Sequence, residues 1–283
     1  MNTEKKKKKT KIFDIVLVIL FILMCIIIII PIWKILVDSF DLKTAYGMKL
    51  LPSKFGLDGY ESVFTNPTLS RPLMISLLTT VSGTFCGLAL ATLGGYVLIQ
   101  EDMPGRNILA NFLLFTMIFS GGMIPTFLVL KQLGLTNTLW SVILLPAISV
   151  YNLVLMRNFF EGIPKSLFEA AEIDGASPMR IFFTIVLPLS KAALASIGLM
   201  YAVSYWNDYT NYRLYIQNSN LYNFQMKLRS IMQGSDLPTA LGSATENTVR
   251  SACIVVALIP FMVLYPFLQK YFVTGINIGA VKE

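Results

Sequence analysis

Tyr201, Tyr205, Trp206, Asn207, Asp208, Tyr209, Asn211 and Tyr212 crowd aromatic rings, amides and a carboxylate into one short stretch. Aromatic faces stack on the apolar C–H faces of sugars, while amides and carboxylates take up hydroxyls. The stretch therefore suits a carbohydrate path with a few oriented polar groups, with Tyr201, Tyr205, Trp206, Asn207 and Asp208 as its candidate lining. The competing reading is an interfacial aromatic belt in which Trp206-Asn207-Asp208 holds a helix end. Bond-making chemistry has little to stand on. The chain has no His, which removes the usual general base and the commonest metal ligand. It has neither a phosphate-cradling Gly-x-x-x-x-Gly-Lys-Ser/Thr loop nor a Gly-x-Ser-x-Gly elbow. Cys25, Cys86 and Cys253 each lie in an apolar run. Their spacing fits neither a disulfide framework nor a metal site, and they read as small buried hydrophobes. No catalytic residue, bound metal or cofactor is expected.

The elements that must position such residues are membrane helices. Of 283 residues, 55% are hydrophobic and only 14% charged, against about 25% charged in a soluble domain. The formal charge of +7 is concentrated in Lys5 to Lys9 and Lys11. A lysine run abutting an apolar helix reads as a cytoplasmic anchor at anionic headgroups rather than a nucleic-acid site.

Residues 1–11 are expected to be a disordered, basic cytoplasmic tail, and 12–37 the first span. A cleaved signal peptide has an apolar core of about 7–15 residues and a small-residue cleavage site. The run IVLVILFILMCIIIII meets neither condition, so the helix is expected to be retained. An external loop follows over 38–72. Further spans are expected at about 73–99, 107–130, 139–156, 189–205 and 251–268, which together make a transmembrane core over 73–268. The second span is rich in Gly, Ala, Ser and Thr, which lets helices approach closely in lipid, so it belongs inside a bundle. The third carries Gly121, Gly122 and Pro125. That break is tolerated at membrane depth only where protein or a cavity covers it; otherwise it marks the helix's outer end. Residues 206–250 form an external segment and 269–283 a cytoplasmic tail. Six spans from a cytoplasmic N-terminus put both termini, the turn QEDMPGR and residues 158–188 inside.

Within 158–188 lies a polar, acidic island, SLFEAAEIDGASPMRIFFTIVLPL. Ser166 and Glu169 have the spacing of a capping box, and Ala170 and Ala171 favour helix. Gly175 sits where a helix ends in the left-handed conformation. Ser177 and Pro178 then read as cap and first residue of a second helix. The spans hold none of the buried charges expected of an ion-coupled carrier; Asp14 lies beside the lysines and reads as an interfacial charge. Energy for any transport must come from a partner.

Glu169-Ala-Ala, three residues, Gly175, nine residues, then Ile185-x-Leu187-Pro188 resembles the EAA signature of ABC-importer permeases. The flanks RNFFEGIPKSLFEAAEIDGASPMRIFFTIVLPLSKAALA, GLTNTLWSVIL, SYWNDY and QKYFVTGINIGAVK resemble carbohydrate-uptake permeases of the MalG type. FSGGMIP resembles the Gram-positive complex-oligosaccharide subgroup. The resemblance covers roughly residues 70–283.

It implies an all-α integral membrane protein of six transmembrane helices with the ABC type I importer permease fold, in the cell membrane. Partners would be a second homologous permease, two ATPase subunits that use ATP and Mg, an extracellular solute-binding lipoprotein and membrane lipid, with no nucleic acid. Residues 158–188 would be the loop that docks on an ATPase, carried by Glu169, Ala170, Ala171, Asp174, Gly175, Ala176, Arg180 and Pro188. Glu169 would complete the capping box, pair with a basic ATPase residue, or do both. The tail after Tyr271 either reaches the ATPase or frays. Competing functions are an importer of a non-sugar solute, such as a peptide or lipid-linked compound, and a membrane scaffold or sensor subunit.

Overall fold

The computed structural model describes residues 2–43, 47–234 and 242–279. The helices are α1 (Asn2–Phe40), α2 (Asp58–Thr65), α3 (Pro67–Ile99), α4 (Arg106–Ile118), α5 (Met123–Gln132), α6 (Leu139–Ala147) and α7 (Val150–Glu161). They continue with α8 (Lys165–Ile173), α9 (Pro178–Ile181), α10 (Leu187–Leu189), α11 (Lys191–Trp206), α12 (Thr210–Tyr215), α13 (Phe224–Met232) and α14 (Glu246–Gly279). A π-helical turn at Phe182–Val186 joins α9 to α10. Phe13–Phe40, Pro67–Ile99 and Glu246–Pro266 are each long and apolar enough to cross a bilayer. Three bent pairs also qualify if each is one span, giving up to six crossings. The chain forms two compact units, residues 1–69 with 230–258 and residues 70–229 with 259–283.

In the first unit, α1 begins at Asn2, where the sequence reading expects a disordered tail to residue 11. Lysine is a good helix former, so the tail's backbone extends the helix; its lysine side chains lie outside the described residues. From Phe13 to Ile30 the helix is exposed all round, as befits a helix whose surroundings are apolar on every side. Past its polar end the chain folds back. Phe40 stacks on Phe55 with ring centroids 5.3 Å apart and leans on Tyr60. The carboxylate of Asp41, only 5% exposed, accepts the N–H groups of Lys43 (3.0 Å), Ser53 (3.0 Å) and Lys54 (3.2 Å). Thr248 at the start of α14 donates its hydroxyl to the Asp41 carbonyl, and the Ser243 N–H reaches the Asp58 carboxylate at 2.9 Å.

In the second unit, α3 is the spine. A Cβ at Gly83 would stand 2.4 Å from the Tyr205 ring, and one at Gly87 would stand 2.6 Å from the Tyr201 ring. A Cβ at Gly94 would stand 2.7 Å from the Leu153 side chain, and one at Gly95 would stand 3.1 Å from the Arg157 backbone nitrogen. The small residues thus let α11 and α7 come close, which is how helices gain contact in lipid without a hydrophobic driving force.

The span expected over 107–130 is interrupted at Gly121 and Gly122, where the sequence carries its break. The one expected over 139–156 is also broken, while the one over 189–205 is a single helix, α11, that begins just after a bend. Between α4 and α5 the chain bends by 118°, between α6 and α7 by 41°, and between α10 and α11 by 81°. The causes are local. Gly122, at φ +88°, occupies a conformation that only glycine adopts at low cost. Pro146 and Pro188, near the other two bends, lack the N–H that a continuous helix would use.

Candidate functional site

The island from residue 158 to 188 is a helix–turn–helix, though its entry differs from the expectation. Pro164, extended at φ −57° and ψ 128°, holds the N-cap place of α8, and no side chain caps the helix. Ser166 is therefore the second helical residue, where its hydroxyl cannot serve as a cap, and the expected capping box with Glu169 does not form. The exit agrees with the sequence. Gly175 lies at φ +74°; its N–H bonds to the Glu172 carbonyl at 3.0 Å, and the Ala176 N–H bonds to the Ala171 carbonyl at 2.9 Å. These two bonds are a complete Schellman closure. Ala171 and Ala176, which flank it, both pack on the core. Ser177 then caps α9 by accepting the Arg180 N–H at 3.3 Å, with Pro178 in the first turn. The π-helical turn follows, in which the Leu187 N–H reaches back to the Phe182 carbonyl. This wider turn stands directly before Pro188, the residue without a donor, and such turns recur where a helix is interrupted for function.

One side of the island is fastened. Ile181, Phe182 and Val186 are buried with Phe160, Ile163 and Tyr96, and Phe168 packs against them. The Tyr96 hydroxyl donates to the Pro178 carbonyl at 2.8 Å, and its ring lies 4.9 Å from that of Phe182. The other side is open: Glu169, Ala170, Asp174, Gly175, Arg180 and Pro188 are exposed, and Ala171 and Ala176 are half-buried. Exposed Leu167, Met179 and Ile173 stand among them, the last 86% exposed. That is a mixed acidic and apolar surface on a helix too short to persist alone in water.

Sequence reasoning missed the polar link between the island and the 100–105 turn. Lys165 Nζ meets Glu101 Oε1 at 2.5 Å. That contact holds the Glu101 carboxyl below its ordinary range and the Lys165 ammonium above its own. Arg157 pairs with Glu161 at 2.8 Å, while Arg106 donates its Nε–H to the Leu98 carbonyl. A groove of about 420 Å³ runs between the turn and α8, lined by residues including Asp102, Glu161, Glu169 and Glu172. Opposite charges in two turns of one face were the available signal.

The aromatic cluster is placed differently from the expectation. Tyr201, Tyr205 and Trp206 are each 2% exposed. The Tyr201 hydroxyl donates to the Ala147 carbonyl at 3.1 Å, and that of Tyr205 to the Ile143 carbonyl at 2.6 Å. Trp206 meets Phe261 edge-on. These rings join α11 to α6 and α3 and lie buried within the chain's own packing. Asn207 is exposed, with its amide on the Val203 carbonyl. The Asp208 carboxylate accepts both the backbone and amide N–H groups of Asn211 at 3.0 Å. Burial pushes the Asp208 carboxyl up, while the Asn211 bonds pull it down. Tyr212 reaches Thr79 at 2.9 Å, and the Arg229 guanidinium sits 4.4 Å over the Tyr209 ring.

Residues 5–278 match the family described as binding-protein-dependent transport system inner membrane component. The chain is 41% identical to the polygalacturonan/rhamnogalacturonan transport system permease protein YtcP of Bacillus subtilis, covering 97% of this chain and 99% of the relative. It is 40% identical to protein LplC of the same organism, covering 96% and 95%. Among solved structures it is similar to a chain of a bacterial ABC transporter involved in the import of the acidic polysaccharide alginate. The TM-score is 0.85 at 30% identity, covering 93% of this chain and 97% of the other.

Proposed function

Because this chain belongs to the family of inner membrane components of binding-protein-dependent transport systems, a multi-pass permease of an ABC transporter with no ATPase of its own, we propose that it carries an oligosaccharide or other carbohydrate inward. With a second, homologous permease it encloses the translocation path. Two cytoplasmic ATPase subunits hydrolyse ATP with the help of Mg, and an extracellular solute-binding lipoprotein delivers the substrate. Both termini, the 100–105 turn and the island face the cytoplasm, an orientation supported by the lysine cluster before residue 12.

The observation that carries the reading is the two-sided island. Its buried side is continuous with the core that includes Tyr201 and Tyr205, so a push on α8 reaches α11. Its open side offers Leu167, Ile173 and Met179 beside Glu169 and Asp174, a surface suited to a groove with apolar walls and basic rims. In this role Glu169 pairs outward with the ATPase, Ala170 allows close approach, and Arg180 borders the contact. Ala171, Gly175, Ala176 and Pro188 fix the angle between the helix and the segment behind it. ATP binding draws the ATPases together, the loops move with them, and the spans reorient. Polygalacturonan and alginate transporters among the similar proteins favour carbohydrate as the solute class.

Gly175→Asp tests this. A left-handed backbone costs a side-chain-bearing residue roughly 1–2 kcal/mol, yet the position is open, with nothing within 4 Å of a new Cβ. The variant should reach the membrane and assemble, but lose substrate-stimulated ATP hydrolysis and uptake. Full coupling in the purified variant complex would overturn the docking role. Receptor-binding assays with neutral and acidic oligosaccharides test the solute class separately.

A further inference from the structure

We propose that the elbow between α4 and α5, Phe119 to Gly122, lines the translocation path and offers its unpaired backbone groups to the hydroxyls of a passing saccharide. The proposal rests on the carbohydrate-permease reading above.

The argument begins with length. Helix α4 has 13 residues, about 20 Å at 1.5 Å per residue, and it starts directly after the charged 100–105 turn. The hydrocarbon core is about 30 Å thick, so the elbow stands inside it rather than beyond it. The segment itself is apolar: Ile118, Phe119, Met123 and Ile124 surround the break.

Next is the hydrogen-bond account. Within the elbow, Gly122 donates its N–H to the Ser120 hydroxyl at 3.2 Å and accepts at its carbonyl from Thr126. The N–H groups of Ser120 and Gly121 have no partner among the described residues. Nor do the carbonyls of Phe119, Ser120 and Gly121. Lipid-exposed backbone in that state does not occur within a bilayer core; irregular backbone survives there only against protein or a water-filled cavity. A cluster of two donors and three acceptors matches the mixed character of sugar hydroxyls. The exposed Phe119 ring, stacked on Phe115 at 4.5 Å, adds an aromatic face of the kind that covers a sugar's C–H groups.

The glycines fit the same role. A Cβ on Gly121 or Gly122 would meet nothing within 4 Å, so the space beside them is not filled by this chain. Gly122 needs to be glycine for its φ of +88°. Gly121 has no such need, so its missing side chain keeps room for something outside the chain.

The test uses the full complex in proteoliposomes, with Cys25→Ser, Cys86→Ala and Cys253→Ala as background. Ser120→Cys is treated with a membrane-impermeant cationic methanethiosulfonate, without nucleotide and after ATP–vanadate trapping. A variant retaining only Cys25, on the lipid-exposed α1, is the control. Ser120→Cys should react roughly ten-fold faster than Cys25 in at least one state, because thiolate formation requires water. Gly121→Leu should assemble and lose uptake. A Ser120→Cys thiol no faster than Cys25 in both states overturns the proposal, and so does a Gly121→Leu complex that transports normally. If the native complex takes up no carbohydrate while the labelling result holds, the solute class fails and the path lining stands.

Discussion

Among the turns that use a glycine with positive φ, those at Gly175 and Gly122 are finished in opposite ways. At Gly175 the turn is closed: both bonds of the Schellman motif form, and the flanking alanines pack on the core. At Gly122 the turn is left open, with backbone groups of three neighbouring residues unpaired. The first sits in a polar stretch expected to face water, where open groups would cost little, yet it is fully bonded. The second sits in an apolar stretch, where open groups cost most. A closed turn fixes an angle and transmits force. An open one at membrane depth persists only if something polar comes to it. The difference separates a joint from a surface.

The sharpest way to break that comparison is to place the same side chain at a filled and an unfilled glycine. Gly83→Leu drives carbon into the Tyr205 ring, already 2.4 Å from where a Cβ would stand. The ring cannot move without breaking its hydroxyl bond to the Ile143 carbonyl. Overpacking of this kind costs about 1–3 kcal/mol or more, and here it also separates α3 from α11. Gly83→Leu should therefore fail to assemble, read as loss of the complex on size exclusion. Gly121→Leu should assemble. Equal assembly of both variants would remove the distinction between filled and open glycines.

A smaller effect is expected at Asp41, which closes the loop after α1 as the Schellman bonds close the island. Burial raises its carboxyl, but N–H bonds from Ser53, Lys43 and Lys54, with Lys49 nearby, outweigh that and leave it below its ordinary value of 3.8. A carboxyl lowered on folding stabilises fully above its unfolded pKa and loses that contribution as pH falls through the folded value. Order in the 41–56 loop should thus hold from neutral pH down to about 4 and weaken below it. Asp41→Asn should remove part of it at neutral pH, costing about 1–3 kcal/mol for the donors less well matched. The variant should differ little from the native chain once the Asp41 carboxyl is protonated. Hydrogen exchange of the Ser53 and Lys54 amides reads both. Protection that is unchanged in Asp41→Asn would show that the carboxylate does not hold the loop.

What could be read from sequence follows from how local the physics is. Gly175, Ser177 and Pro178 act within one turn of themselves, and their roles were legible. The capping box was misread for an equally local reason: Pro164 begins the helix early and carries Ser166 past the cap position. The burial of the aromatic cluster was not legible because its partners are distant in the chain. Gly83 and Gly87, which receive the Tyr205 and Tyr201 rings, carry no mark in sequence that they face those tyrosines rather than some other helix. The three bends, between α4 and α5, α6 and α7, and α10 and α11, had visible causes at Gly121, Gly122, Pro146 and Pro188. Their angles did not, since an angle depends on what each half packs against.

The smallest effect belongs to the pair that looks strongest on distance alone. Lys165 and Glu101 stand 2.5 Å apart, yet their side chains are 75% and 65% exposed. Water and salt screen such a pair, and holding two long side chains in one geometry offsets the attraction. The buried contacts of Phe168, Ile181 and Phe182 and the Tyr96 bond to Pro178 already position the island. Lys165→Ala should therefore change coupled ATPase activity by no more than about two-fold at physiological salt, as expected for an exposed pair. A loss comparable to that of Gly175→Asp, restored by exchanging the charges in Glu101→Lys with Lys165→Glu, would move the joint's anchor from its apolar side to its charged one.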